Sequence, residues 1–210
     1  MRAPPRPFSP PQFRRASRSH SAAHPPTGCL RWRQKHLGQN RFAALMPHVK
    51  SVRAAVIDVG TNSVKLLVAD LDSEVRPVLE TGIQTRLGQG LYPNRQLQPE
   101  AIARTASAVR LLAERARQTG ASRLKVFATS AAREARNQEQ LVQALRTAAQ
   151  APVEIISGTQ EAEWAFHGVR THPQWAAEPL VLVEVGGGST QFLIGQLDQI
   201  HFRGSYPLGA

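Results

Sequence analysis

The stretch VIDVGTNSVKLLVADLD, residues 56–72, decides the fold because a second copy of its pattern follows later in the chain. A shift of 126 positions aligns it without a gap to LVEVGGGSTQFLIGQLD, residues 182–198. In each copy, two runs of Val, Ile and Leu flank a short cluster of Gly, Asn, Ser and Thr, which predicts strand, tight turn and strand. A repeat at so long a spacing indicates two duplicated domains rather than a solenoid, whose units are much shorter.

An acidic residue precedes each turn, Asp58 in the first copy and Glu184 in the second. Glycine-rich turns can direct several backbone N–H groups at one anion, and phosphate is a natural ligand for them. The acids would repel phosphate unless a divalent cation or an ordered water lay between, and Mg²⁺ prefers such oxygen ligands. An ordinary hairpin turn explains either copy alone, but the recurrence favours a phosphate site with Asp58 and Glu184 as metal ligands.

The net charge of +11 comes almost entirely from the first 50 residues. They hold ten Lys or Arg and no acid, so the remaining residues carry 26 − 10 = 16 basic side chains against 15 acidic ones. Pro, Arg, Ser and His without helical or strand periodicity predict a disordered tail over residues 1–50. A targeting peptide, a contact with nucleic acid or a membrane surface, and a true translation start at Met46 remain alternative interpretations of this tail.

The sole cysteine, Cys29, lies in the tail and has no partner for an internal disulfide. No apolar run is long enough to span a bilayer. These features favour a soluble, reducing compartment, and we expect a cytoplasmic location with no membrane partner and no specific nucleic-acid partner.

Residues 51–177 are expected to form a first domain. Three strands come first, and helices then alternate with single strands, which predicts a mixed α/β sheet covered by helices. The clearest helix runs from Pro99 to Gln118, with Gly120 ending it. Residues 178–210 repeat only the first strands of such a domain. Because no helix follows to cover this second sheet, we expect further chain or a partner to cover it.

Six motifs in this order give the chain its resemblance to the exopolyphosphatase and guanosine pentaphosphate phosphatase family, within the actin, sugar kinase and Hsp70 superfamily. They are VIDVGTNSVKLL, TRLGQGL, VFATSAAREARN, EIISGTQEAEWAFHGV, LVEVGGGSTQFLIG and SYPLGA. The resemblance extends from about Val52 to the last residue. It implies two actin-like (ribonuclease H-like) domains, the second one truncated here, with a phosphoanhydride hydrolysed in the cleft between them.

The resemblance implies that both turns bind phosphate through Gly60, Thr61, Asn62, Ser63, Gly186, Gly187, Gly188, Ser189 and Thr190. Lys65 and Arg86 are predicted phosphate-binding cations, Arg86 because it lies in a glycine-rich loop. Arg133 and Arg136 are weaker candidates, since surface ion pairing is the usual role of such residues. Other polar and aromatic positions have structural interpretations, as helix caps for Thr129, Ser130 and Asn137 and as core for Trp164 and Phe166.

Glu161 is the predicted catalytic residue. Ser157 and Gln160 resemble a capping box, which places Glu161 in the first turn of a helix. The helix dipole favours an ionised carboxylate there, as a general base requires. The resemblance places the family's catalytic glutamate directly before the Ala of this motif, which is Ala162 here. Without the resemblance, a stabilising first-turn acid is the simpler interpretation.

Two departures from the family pattern bear on function. Glu184 stands where the family usually has Asp, which affects the geometry of metal binding. Lys65 stands where the family often has Arg, and Lys lacks the planar fork that binds two phosphate oxygens.

The predicted activity is release of terminal phosphate from inorganic polyphosphate or guanosine pentaphosphate, with Mg²⁺ or Mn²⁺ as cofactor and a homodimer as an expected assembly. The main alternative is a nonhydrolytic polyphosphate- or nucleotide-binding module, or an inactive fragment of such an enzyme. An actin-like ATPase or sugar kinase fits the motifs less well.

Overall fold

The structure is a computed structural model that describes residues 51–72, 74–92 and 94–210. The expectations for the basic tail, including Cys29 and Met46, lie outside the described residues. None of the helices in the described part of the chain combines the length and the apolar character needed to cross a membrane.

The first copy of the repeat forms one side of a five-stranded sheet. Strand β1 (Val52–Val59) pairs antiparallel with β2 (Ser63–Leu71), which pairs antiparallel with β3 (Val75–Gln84). On its other side β1 pairs parallel with β4 (Arg123–Ala128), and β4 pairs parallel with β5 (Val153–Ile155). The strand order β3-β2-β1-β4-β5 confirms the predicted mixed sheet.

Helices alternate with the later strands, as predicted. They are α1 (Pro99–Gln118), α2 (Ser130–Glu134), α3 (Gln138–Ala149) and α4 (Gly158–Arg170). The apolar stripes of α1 and α3 pack on one face of the sheet, where every second residue of β1 and β2 is buried. The opposite face of the sheet, which includes Val56 and Leu67, is partly exposed.

The second copy of the repeat forms a separate antiparallel sheet, β6 (Leu180–Val185), β7 (Thr190–Gln196) and β8 (Gln199–Tyr206). The expectation that no helix covers it is wrong for one face. Phe166 of α4 is fully buried with Leu193 of β7, because α4 leaves the first sheet and lies across the second. The other face exposes Val181, Val183, Val185, Phe192, Ile194 and Phe202.

Candidate active site

The two glycine turns have the same hydrogen-bonded geometry. The amide of Gly60 donates to the carbonyl of Ser63 at 3.0 Å, and the amide of Gly186 donates to that of Ser189 at 2.8 Å. The first glycine of each turn therefore closes the turn itself. The remaining amides between the strands of each described hairpin have no protein acceptor, and they are those of Thr61, Asn62, Gly187, Gly188 and Ser189. Each turn thus offers at least two N–H groups to an anion.

Close approach, and not an unusual backbone angle, explains the glycines of the second turn. Only Gly90 and Gly120 have positive φ among the described glycines, so neither turn depends on a left-handed backbone conformation. A Cβ at Gly187 would overlap the side-chain amide of Asn62. A Cβ at Gly188 would lie 2.5 Å from Thr61 Oγ1 and 2.7 Å from Ser130 Oγ. The two turns therefore face each other in direct contact.

A cavity of about 100 Å³ lies where the two turns meet. Three carboxylates, those of Asp58, Glu161 and Glu184, contribute to its wall. Its other lining residues are Gly60, Thr61, Asn62, Ser63, Lys65, Thr129, Ser130, Gly186, Gly187, Gly188 and Ser189. The structure therefore brings together every predicted site residue except Arg86 and Thr190. We call this space the inner cavity.

Arg86 and Thr190 lie elsewhere. Arg86 lines a second cavity, which shares Thr61, Asn62, Ser130, Gly187 and Gly188 with the inner cavity. Thr190 is buried, and its hydroxyl donates to the carbonyl of Leu208 at 2.6 Å. This bond, together with one from the amide of Ala210 to the carbonyl of Gly186 at 3.0 Å, holds the last residues against the second turn.

Glu161 occupies the first turn of α4, as predicted. The capping box is present: the Ser157 hydroxyl accepts from the Gln160 amide at 3.1 Å, and the Gln160 side chain accepts from the Ser157 amide at 3.0 Å. Arg133 donates to the Glu161 carboxylate at 2.8 Å. Burial raises the pKa of Glu161, the charge and hydrogen bond of Arg133 oppose that rise, and the charges of Asp58 and Glu184 add to it.

Asp58 presents a buried carboxylate oxygen, Oδ1, with no hydrogen-bond partner. Burial raises the pKa of Asp58, Lys65 opposite it in the strand register lowers it, and the charge of Glu184 raises it further. In the second sheet the place of Lys65 is taken by Gln191, whose amide donates to Ser189 Oγ at 2.7 Å. The two halves of the site are therefore chemically different.

Asp58 and Glu184 could bind a cation whose remaining ligands are water or substrate oxygens. No cluster of three or more His, Cys, Asp or Glu side chains within the described ranges is arranged to hold a metal ion alone. Mg²⁺ usually keeps several waters and substrate oxygens and needs only one or two carboxylates. The unpartnered Oδ1 of Asp58, facing the same cavity as Glu184, suits such an ion.

Sequence reasoning missed two hydroxyl residues and the role of one arginine. Thr129 and Ser130 line the inner cavity, and the Thr129 side chain makes no capping bond to α2. The parallel pairing of β1 and β4 could have indicated this, because the ends of parallel strands meet at one sheet edge.

The role of Arg133 was also missed, since its side chain contacts Glu161. Asn137 stands before α3 but bonds the Leu97 backbone instead, at 2.9 and 3.0 Å.

The two aromatic residues of α4 differ in environment. Phe166 is core, as predicted. The same interpretation is wrong for Trp164, which is 44% exposed and lies edge-on to Phe127 at 4.7 Å between ring centroids. Trp164 and Val56 line a largely apolar cavity of about 430 Å³, to which the carboxylates of the inner cavity also contribute.

Comparison with known proteins identifies the relatives of this chain. A family model described as the Ppx/GppA phosphatase family matches residues 66–210. A curated relative, exopolyphosphatase 2 of Mycobacterium tuberculosis, is 37% identical over 154 residues, which cover 69% of this chain and 48% of the relative. The chain thus spans about half the length of the curated relatives it matches.

Solved structures agree with the fold. A Ppx/GppA family member from Aquifex aeolicus superposes with a TM-score of 0.67 at 28% identity, covering 76% of this chain and 52% of that one. An exopolyphosphatase from Cytophaga hutchinsonii gives a TM-score of 0.70 at 26% identity, covering 75% and 51%. The expected actin-like α/β architecture is therefore confirmed.

Proposed function

The chain belongs to the Ppx/GppA phosphatase family, and we propose that it carries the catalytic machinery of a hydrolase that releases the terminal phosphate of inorganic polyphosphate. One observation carries the proposal: both glycine turns and the Glu161 carboxylate line a single inner cavity. The turns supply donors for an anion, and the carboxylate supplies a base. This combination is what hydrolysis of a phosphoanhydride requires.

The turns bind the terminal phosphate in this proposal. The amides of Thr61, Asn62, Gly187 and Gly188 donate to its oxygens, and the buried hydroxyl of Thr61, which has no protein partner, adds a further donor. These groups are fixed by the hairpins before the substrate arrives. Fixed donors stabilise the charge on the transferring group without having to reorganise during the reaction.

Glu161 orients the attacking water and accepts its proton. The water oxygen forms the new bond to the terminal phosphorus, the bridging P–O bond breaks, and the shortened chain leaves with the electron pair of that bond. Burial raises the pKa of Glu161, which makes this carboxylate a stronger base than an exposed one. Arg133 holds the carboxylate in place.

Asp58 and Glu184 would hold a divalent cation, Mg²⁺ or Mn²⁺, beside the substrate. When bound, such an ion neutralises charge on the phosphate oxygens. Glu184 stands where the family usually has Asp, and its longer side chain would change the geometry around such an ion. Guanosine pentaphosphate also ends in a phosphate chain, so it is the second substrate to test.

Phosphate release from polyphosphate, with Mg²⁺ or Mn²⁺ present, tests the proposal. Glu161→Gln should abolish release and retain polyphosphate binding. Glu163→Gln is the matched control, because Glu163 lies on the same helix but pairs with Arg203 and does not line the inner cavity. Equal rates for Glu161→Gln and the wild-type chain would reject the role of Glu161.

A nonhydrolytic polyphosphate-binding module is the second candidate. The observation that favours it is that Glu184, which lines the inner cavity, stands where the family usually has Asp. A module would bind polyphosphate and leave its length unchanged. Gel analysis of chain length after incubation, beside a binding titration, separates the two candidates.

A further inference from the structure

The largely apolar cavity beside Trp164, which we call the apolar cavity, lies on the exposed face of the first sheet. It has a volume of about 430 Å³. Val56 and Asp58 of β1 and Phe127 of β4 alternate with buried core positions, so their side chains point to this face. The cavity is lined by Val56, Asp58, Phe127, Thr129, Ile156, Glu161, Trp164, Ala165 and Glu184. The proposed hydrolysis makes no use of its apolar part.

The apolar walls are open to a ligand. Trp164 is 44% exposed and Val56 39% exposed, and Trp164 lies edge-on to the Phe127 ring. Covering apolar surface of this kind with another apolar group lowers the free energy. The walls therefore favour a ligand with an apolar body.

The part of the apolar cavity that adjoins the inner cavity is acidic. Asp58, Glu161 and Glu184 line both spaces, and the lining of the apolar cavity includes no Lys, Arg or His. Neither Asp58 nor Glu184 forms a salt bridge with another described residue. Glu161 pairs with Arg133. A positive charge placed beside these carboxylates is attracted by all three, so this part favours a cation.

Thr129 adds a polar feature that is independent of the acids. It is only 7% exposed, and its hydroxyl forms no hydrogen bond with any residue in the described ranges. A buried hydroxyl without a partner costs free energy. A ligand with N–H donors beside the acids would satisfy it.

We propose that the apolar cavity binds an organic ammonium ion, with its charge among the three carboxylates and its apolar body against Trp164 and Phe127. Primary amines are protonated at neutral pH, and aromatic faces attract them. Lys125 shows the same chemistry, since its Nζ lies 5.3 Å from the centre of the Phe127 ring. A neutral apolar ligand would desolvate the carboxylates without compensation, and a hydrated metal ion would leave the apolar walls uncovered.

Occupation of this site should inhibit the proposed reaction. An ammonium ion paired with Glu161 would compete with the attacking water, and its charge would compete with a cation at Asp58 and Glu184. This consequence rests on the proposed function, whereas binding of the ammonium ion does not.

Calorimetric titration of the wild-type chain with hexylammonium, methylammonium and 1-hexanol tests the site. Hexylammonium has both the charge and the apolar chain, and each of the other probes has only one of them. Each buried methylene strengthens binding about fourfold, so we expect hexylammonium to bind about tenfold or more tightly than either. Equal binding of methylammonium would show that the walls are not used, and equal binding of 1-hexanol that the carboxylates are not. Either result would overturn the inference.

Two substitutions locate the bound ion. Glu184→Gln should raise the Kd for hexylammonium about tenfold, and Glu178→Gln, at an exposed acid outside the cavity, should not change it. Trp164→Ala should weaken binding of hexylammonium and not of methylammonium. Trp175→Ala removes a similarly exposed Trp that does not line the cavity and should change neither constant. Unchanged hexylammonium binding in Glu184→Gln or in Trp164→Ala would contradict the inference.

Phosphate release separates this site from the proposed function. Hexylammonium should inhibit release of phosphate from polyphosphate with an inhibition constant close to its Kd, and 1-hexanol should not inhibit. Equal inhibition of wild type and Trp164→Ala would count against the site. A chain that binds hexylammonium as expected but releases no phosphate would support the site and reject the proposed function.

Discussion

Arg133 Nη1 lies 2.8 Å from Glu161 Oε2 and 3.0 Å from the carbonyl oxygen of Ile156. The two side chains of the ion pair are only 19% and 20% exposed. Ile156 directly precedes Ser157, the capping residue of α4. One guanidinium therefore fixes both the start of α4 and the carboxylate carried by its first turn.

Replacing Arg133 should reduce catalysis more than substrate affinity. Arg133→Gln leaves Glu161 without its partner, and a carboxylate displaced by about 1 Å lowers kcat roughly 100-fold. Arg133→Lys keeps a charge and should recover part of the rate. Steady-state phosphate release measures both variants. Arg136→Gln, an exposed arginine just after α2, is the control, and a wild-type kcat for Arg133→Gln would contradict the positioning role.

Gly187→Ala should weaken polyphosphate binding because its methyl group would overlap the Asn62 side chain and push the turns apart. Asn62→Ala in the same chain should restore part of the spacing. Gly168→Ala is the control: no atom lies within 4 Å of its added Cβ, so helix propensity should raise the free energy of unfolding by about 0.5–1 kcal/mol. Binding titrations measure the affinity for polyphosphate, and denaturant unfolding measures stability. Unchanged binding by Gly187→Ala would contradict the inference that the two turns must lie in close contact.

Asp58→Asn should stabilise the metal-free protein at neutral pH. Burial raises the folded-state pKa of Asp58 above its unfolded value. The folded state then binds the proton more tightly, so ionisation at higher pH reduces stability, and this penalty disappears as pH falls below the ordinary carboxyl range. The Tm difference between Asp58→Asn and wild type, measured in chelator, should shrink on acidification. A difference independent of pH would show that the charge is not responsible.

Mg²⁺ should raise the Tm of the wild-type chain at neutral pH, because an ion that binds only the folded state stabilises it. Asp58→Asn and Glu184→Gln should each reduce this rise. Glu178→Gln, in an exposed loop before β6, removes an equal charge and should leave it intact. Equal Mg²⁺-induced shifts in all of these proteins would place the ion elsewhere.

Phe166→Ala should lower the free energy of unfolding by about 3–5 kcal/mol. Phe166 is fully buried and joins α4 to the second sheet through Leu193. Val181→Thr, at a position 73% exposed on the opposite face, should change stability by less than about 0.5 kcal/mol. Similar losses in the two variants would mean that α4 is not the element that stabilises this sheet.

Local patterns were sufficient to predict the elements of the fold. The predicted helix from Pro99 to Gln118 has the bounds of α1, and each predicted hairpin is present. Helical periodicity, turn glycines and the capping box act over a few residues, so the sequence displays them directly. The turn residues and acids of the inner cavity were identified in the same way, with the family resemblance singling out Glu161, whereas Thr129 and Ser130 were missed.

The sequence by itself therefore determined the strands, the helices, the duplication and the residues of both turns. Tertiary structure alone decided that Arg133 pairs with Glu161, that α4 covers the second sheet, and that Arg86 faces a separate pocket. It also decided that Gly187 is required by its contact with Asn62. These relationships join segments far apart in the chain, and their energies depend on packing distance and burial, which no local pattern of residues contains.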